Sequence, residues 1–271
     1  VLRIFKKNIL SPNGVSIIYL WPKRSLHMDT ERNSFGFLRF VFAVAVMYFH
    51  AFILGGFGSE PFGEFIKKQE SVGSLAVMGF FVISGFLVTK SLINSRTVLV
   101  YAYRRCLRVL PGFWACLLVT AFLIAPAVFL IERHTLNGFL SLQPDGPVSY
   151  IKSNFFLLMH QYAIGNLLSS NPLPYVFDGS LWTIFPEAKA YLFLAILGII
   201  KLNKSKLALL AIFAGMWSLI LFNIPVQSAS NKFLRLIIDP VFLLYGTYFF
   251  AGATAYLFRN LIPINKFLFY S

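Results

Sequence analysis

The chain has 271 residues, of which 58% are hydrophobic and only 13% charged, with 31 Phe and a mean hydropathy of +0.72. A soluble domain carries nearer a quarter charged residues, and the apolar excess here lies in long runs, so membrane spans are expected rather than one large core. The net charge of +14 sits in short loops between apolar runs, not on a polar domain. That excludes a nucleic-acid binder and reads instead as a positive-inside signal with attraction to anionic lipid or an anionic ligand.

The first residues carry no signal-peptide pattern, and Met28 is the expected natural start, with 1–27 an upstream extension. The domain reading is a cytoplasmic N-terminal segment over 1–33 and a transmembrane domain over 34–271, incomplete at its C-terminus. Spans are expected at about 37–55, 72–89, 112–131, 181–200, 207–224 and 236–258. The stretch 154–168, with His160, is too short. Lys6, Lys7, Lys23, Arg24 and Arg32 place the N-terminus in the cytoplasm, as do Lys90, Arg96, Arg104, Arg105 and Arg108 for 90–108. The loop 56–71, with Glu60, Glu64 and Glu70, is then outside. The run KLNKSK at 201–206 returns to the cytoplasm only if 154–168 does not cross, so that stretch is expected to be re-entrant or to lie at the outer interface. The fold class is all-α: a polytopic helix bundle of six to seven spans plus a re-entrant segment.

Four segments carry chemistry. In the first span, Arg39 and His50 are 11 residues apart, which at ~100° per residue places them on one helix face and ~16 Å apart along the axis. Arg39 falls near the cytoplasmic boundary and His50 near the bilayer middle, where an ionisable group is costly unless it faces a cavity or partner. Snorkelling for Arg39 and a packing hydrogen bond for His50 are the competing readings. In YAYRRCLRVLP, Arg104, Arg105 and Arg108 make a phosphate site or a lipid-headgroup edge, with Pro111 in the first turn of the next span. In GFFVISGFL, Gly79, Ser84 and Gly85 permit close helix contact.

In DGSLWTIFPEAKAY, Glu187 lies inside an apolar run after Pro186, which frees a backbone carbonyl. Depth arithmetic brings Glu187 within reach of His50. A Glu187–Lys189 pair is disfavoured, since i and i+2 do not face each other. Asp178, Ser180 and Trp182 precede Glu187 as candidate substrate contacts. His27, His134 and His160 read as loop or interface residues. Cys106 and Cys116 form no CxxC and have no paired His, so no metal site is expected.

In order and spacing, FGFLRFVFAVAVMYFH, GFFVISGFL, YRRCLRVLP and NPLPYVFDGSLWTIFPE resemble the acyltransferase-3 family of bacterial membrane O-acyltransferases, from about residue 34 to 200 and more loosely to 260. The family commonly has more spans, and its usual residue before Gly-Ser-Leu-Trp is Asn where Asp178 stands here. The resemblance implies a bacterial inner-membrane enzyme. It would move an acetyl or other acyl group from cytoplasmic acyl-CoA to a hydroxyl of an envelope or lipid-linked glycan: O-antigen, exopolysaccharide or peptidoglycan. It implies His50 as base or acyl relay and Glu187 as its orienting partner. Arg39 would sit at the channel mouth and Arg104, Arg105 and Arg108 on the CoA phosphates. Trp182, Ser180 and Asp178 would meet the acceptor. A proton-coupled transporter or flippase of glycans or small molecules explains the same buried charges, and an inactive truncated family member is the third reading.

Overall fold

The computed structural model describes residues 34–67, 69–222 and 239–261. The chain forms two units, Val1–Ser34 and Phe35–Ser271; the first lies outside the described residues apart from Ser34. The expectations for 1–27, and the ends of the last two expected spans, also fall outside them.

The described residues contain no strand. In chain order the helices are α1 (Ser34–Gly55), α2 (Pro61–Phe65), α3 (Val72–Ile93), α4 (Val98–Val119), α5 (Ala125–Arg133), α6 (Pro147–Asn154), α7 (Ile184–Ile199), α8 (Lys206–Leu221) and α9 (Pro240–Phe258). Among the described residues five stretches are long and apolar enough to cross a bilayer: α1, α3, the continuous rod Val98–Arg133, Gly179–Ile199 and α9; α8 is a shorter apolar helix of 16 residues. The chain is therefore an all-helical, multi-pass membrane bundle, in line with the span count expected from sequence.

Polar residues at the helix starts set these boundaries. Ser71 accepts from Ser74 N at 2.9 Å, Thr97 from Val100 N at 3.2 Å, Ser205 from Ala208 N at 3.2 Å and Asp239 from Phe242 N at 2.8 Å. Each satisfies an amide that has no partner inside its own helix. At the other end, His134 closes α5 in a left-handed conformation, φ 55°.

The third span differs from expectation. It begins at Val98, not near 112, and a π-helical turn over Thr120–Ile124 joins α4 to α5 in one rod of 36 residues. At 1.5 Å per residue the rod is about 54 Å long, well over an apolar thickness of ~30 Å. Pro111 sits inside α4 rather than in a first turn. The basic cluster is thus part of the spanning rod, not of a loop before it. Pro186 is likewise placed otherwise than expected. It lies in the first turn of α7, behind a 3-10 turn over Gly179–Thr183, and a missing N–H there removes no bond from the α-helical ladder.

The stretch 154–168 forms no spanning helix, and its polar interior explains why. Asn154 is fully buried; its Oδ1 accepts from His160 N at 2.8 Å and Gln161 N at 3.0 Å, and its Nδ2 donates to Gln161 O at 2.7 Å. Glu132 and Arg133, at the end of α5, bond Leu168 N and Asn166 Oδ1 and tie this loop to the rod. Its apolar side chains, Ile164 and Leu167 among them, join Phe113, Leu117, Phe129 and Tyr150 in one core. A second core joins α3, α7, α8 and α9 around Phe81, Leu194, Phe249 and Phe250.

Within that second core α3 and α9 touch backbone to backbone. A Cβ on Gly85 would lie 1.9 Å from Phe249 O, and one on Gly252 would lie 1.9 Å from Val82 O. The small residues expected to allow close packing do so, with Gly79 seated against the Phe42 ring of α1. Lys189 pairs with Asp239, at the start of α9, and not with Glu187. Replacing Lys189 with Met leaves a half-buried carboxylate without its cation. The melting temperature of the detergent-solubilised protein is expected to fall, and the double variant Lys189→Met/Asp239→Asn to recover part of the loss.

Candidate active site

One face of α1 carries Arg39, Ala43, Val46 and His50, at the three- and four-residue steps of a helical stripe. This face lines a cavity of about 530 Å³ whose other walls come from α3, α4, the 3-10 turn, the start of α7 and, through Tyr245, α9. Ser84, Arg108, Ser180, Trp182 and Glu187 also face it. Residues from six separate segments are thus brought to one chamber. α1 itself has no buried residue and bounds the chamber as a wall rather than filling it.

Among the described residues His50 has one hydrogen bond, from Nδ1 to Val46 O at 2.8 Å. A carbonyl only accepts, so Nδ1 carries a proton, and Nε2 is the ring nitrogen left for a ligand. The sequence reading gave this orienting task to Glu187. The structure gives it to the backbone of α1, and no hydrogen bond joins Glu187 to His50 among the described residues. Glu187 lines the same cavity but accepts from Ser84 Oγ at 2.9 Å and from Tyr191 Oη. Ser84 Oγ also meets Tyr191 Oη at 3.1 Å, closing a small network between α3 and α7. Ser84, noted in the sequence only for its size, is therefore a direct partner of the carboxylate. Tyr191 was missed, although its position four residues after Glu187 on a helix signals a neighbour.

The three arginines of α4 are split. Arg108 faces the cavity and, with Glu187 and Arg105, belongs to the charged surroundings of Arg39. Arg105 is turned between α3 and α7, where its Nη2 donates to Ser91 Oγ at 3.4 Å and its guanidinium lies 6.0 Å from the Tyr101 ring centre and 5.9 Å from that of Tyr191. Arg104 is exposed and lines neither this cavity nor the next. Neither Arg39 nor Arg108 forms an ion pair among the described residues, where Lys189–Asp239 is the pair found. Two guanidinium groups and one carboxylate thus leave the chamber with an excess of positive charge.

A second cavity, of about 620 Å³, lies on the other side of His50. Val46, His50, Ser180 and Trp182 are common to both, so the imidazole stands at their junction. Asp178 and Tyr162 line this second space. Asp178 is in the left-handed conformation at φ 50°, ψ 36°, just before the turn that carries Ser180 and Trp182. Asp and Asn are the side chains that most readily adopt that conformation, which accounts for either standing at this place. Tyr150, fully buried, holds the loop by donating from Oη to Asp178 Oδ2 at 2.9 Å. Burial, and then the adjacent Asp178 carboxylate, push the Tyr150 phenol well above its usual pKa, so it remains the donor. The Trp182 ring is steadied against Tyr245, with centroids 5.5 Å apart. His134 and His160 are exposed and line neither cavity. Tyr150→Phe removes the donor that fixes Asp178. It is expected to lower activity about tenfold with little change in yield, measured as turnover per folded protein.

Apolar helices around a chamber lined by an imidazole, a carboxylate and two guanidinium groups define a polytopic membrane protein with a charged cavity among its spans. The acyltransferase-3 profile, described as an acyltransferase domain, matches residues 32–270, and the chain belongs to that family. It is similar to an O-acetyl transferase of Shigella phage Sf6, 28% identical over 243 residues, which cover 85% of this chain and 64% of the relative. It is also similar to Nodulation protein 10 of Rhizobium leguminosarum bv. viciae, 28% identical over 236 residues, covering 81% and 59%. The chain thus spans less than two thirds of the length of either relative. No solved structure gives a significant match.

Proposed function

We propose that the chain acts as a bacterial inner-membrane O-acyltransferase, with its N-terminus in the cytoplasm, moving an acetyl or other acyl group from cytoplasmic acyl-CoA to a hydroxyl of an envelope glycan. Family membership and a relative named as an O-acetyl transferase support the reaction class. The observation that carries the assignment is the place of His50, with Nε2 unengaged, at the junction of two cavities of different character.

The cavity toward Arg39 and Arg108 suits the donor, since CoA is polyanionic and guanidinium groups bind phosphate oxygens in pairs. Arg104, exposed further along the same helix, extends that positive edge toward the cytoplasm, while Arg105 braces the wall. The cavity toward Asp178, Ser180 and Trp182 suits a sugar: an aromatic face for its C–H side, and oxygens for its hydroxyls. His50 Nε2 takes the proton of the acceptor hydroxyl as its oxygen attacks the thioester carbonyl. The C–S bond breaks, and the imidazolium returns the proton to the CoA thiolate. The products are the O-acyl glycan and free CoA. Glu187, fixed by Ser84 and Tyr191, balances the charge that develops on the imidazolium across the chamber.

A carrier for glycans or protons would also need buried charges, but it would not consume the donor. Membranes containing the full chain are expected to release CoA from acetyl-CoA when the glycan acceptor is present; transport of glycan with no CoA release would sink this reading. Arg108→Ala is expected to raise the KM for acyl-CoA about ten- to hundredfold, the loss of ~1.5–3 kcal/mol for a hydrogen bond between charged groups, with kcat changed less.

A further inference from the structure

A third hollow, of about 370 Å³, lies where the 56–71 loop folds against the start of α3. It adjoins the Arg39–His50 chamber, since Phe49 and Ser74 line both. Its wall includes Glu60, a carboxylate only 4% exposed. Glu60 Oε1 accepts from Val72 N, the first amide of α3, at 2.6 Å. The other oxygen, Oε2, is buried and has no hydrogen-bond partner among the described residues. A buried carboxylate oxygen left in that state is uncommon, because it has given up its hydration and gained nothing in return.

Glu70 and Gln69 line the same hollow, as does Phe52. Two carboxylates with one oxygen already engaged fall short of the roughly six to eight oxygens that calcium would seek, or the roughly six that magnesium would. Among the described residues no group of three His, Cys, Asp or Glu could hold a metal. Sugar hydroxyls match this lining better: they donate to carboxylates, accept from an amide, and leave a C–H face for the Phe49 and Phe52 rings.

We propose that this hollow is a saccharide subsite, in which a sugar that is not itself acylated donates hydroxyls to Glu60 Oε2 and Glu70. That the sugar is a neighbouring unit of the acyl acceptor rests on the acyl-transfer reading; that the hollow binds a sugar does not. The seat of Phe49 between hollow and chamber depends on Gly73, where a Cβ would lie 2.5 Å from the ring.

The test uses the full chain in lipid nanodiscs and saturation-transfer NMR with the methyl glycosides of glucose, rhamnose and N-acetylglucosamine. At least one is expected to show transfer with the wild-type protein and with His50→Ala, and transfer weakened about tenfold with Glu60→Gln, the remainder coming from the cavity beside Asp178. Glu60 also holds the start of α3, so Glu70→Gln serves as a second variant on an exposed side chain, expected to bind about tenfold more weakly. No transfer from any glycoside to the wild type, or equal transfer to wild type and both variants, overturns the proposal. So does calcium raising the melting temperature of the wild type but not of Glu60→Gln without glycoside binding, which makes the hollow a cation site. A failed glycoside test leaves acyl transfer standing, and a failed transfer assay leaves the sugar site standing.

Discussion

His50→Ala is expected to lower acyl transfer by about 10²–10⁴-fold, the usual span for removing a positioned general base. The expectation follows from geometry. Val46 O holds the Nδ1 proton and thereby fixes the tautomer that leaves Nε2 basic. The bond stays within one helix, so replacing His50 removes no link between helices, and insertion and yield should match the wild type. The loss should therefore appear in kcat with the KM for acyl-CoA nearly unchanged, because the proposed function gives the phosphates to Arg39 and Arg108 and not to His50. His50→Gln keeps the volume and a hydrogen-bonding tip but has no basic nitrogen, and should be as inactive. Turnover within a few-fold of wild type in either variant means that His50 is a packing residue.

Gly85→Val and Gly252→Val each prevent the bundle from forming. In both cases the added side chain meets a carbonyl oxygen of the opposite helix, at a distance where no Cβ can sit. Overpacking a core costs ~1–3 kcal/mol when side chains can turn aside. Here the obstacle is backbone on both sides, so α3 and α9 must separate. Phe249, Phe250 and Ala253, fully buried along that seam, would lose their contacts. Ser84 lies next to Gly85, so the same movement draws its hydroxyl from Glu187. The measurement is the fraction of detergent-extracted protein that elutes as a monodisperse peak. It should collapse for both variants and for Gly85→Ala as well, since the Cβ alone meets the Phe249 oxygen. Wild-type recovery of either Val variant contradicts the packing described.

Much of this was legible in the sequence, for reasons of period. Spans announce themselves by apolar length, and Arg39 and His50 share a face because 11 residues close nearly three whole turns. Loop charge parity kept 154–168 from crossing, and Asn154 shows the polar interior behind it. The partners across helices were less legible. Glu187 meets Ser84 across 103 positions of sequence, and Lys189 meets Asp239 across 50. No local pattern encodes such distances. Nor did spacing alone divide the arginines of α4: Arg105 and Arg108 lie three residues apart on one helix, yet one braces α7 and the other faces the chamber. Depth arithmetic placed Glu187 and His50 in the same space but could not say that each already had a different partner.

Mass spectrometry of surface glycans from a host with the gene, without it, and with the His50→Ala form tests most directly whether this chamber esterifies a surface glycan. A base-labile acetyl or other acyl increment is expected on the glycan in the first host alone. The same increment in all three hosts, or in the His50→Ala host, contradicts the proposed function.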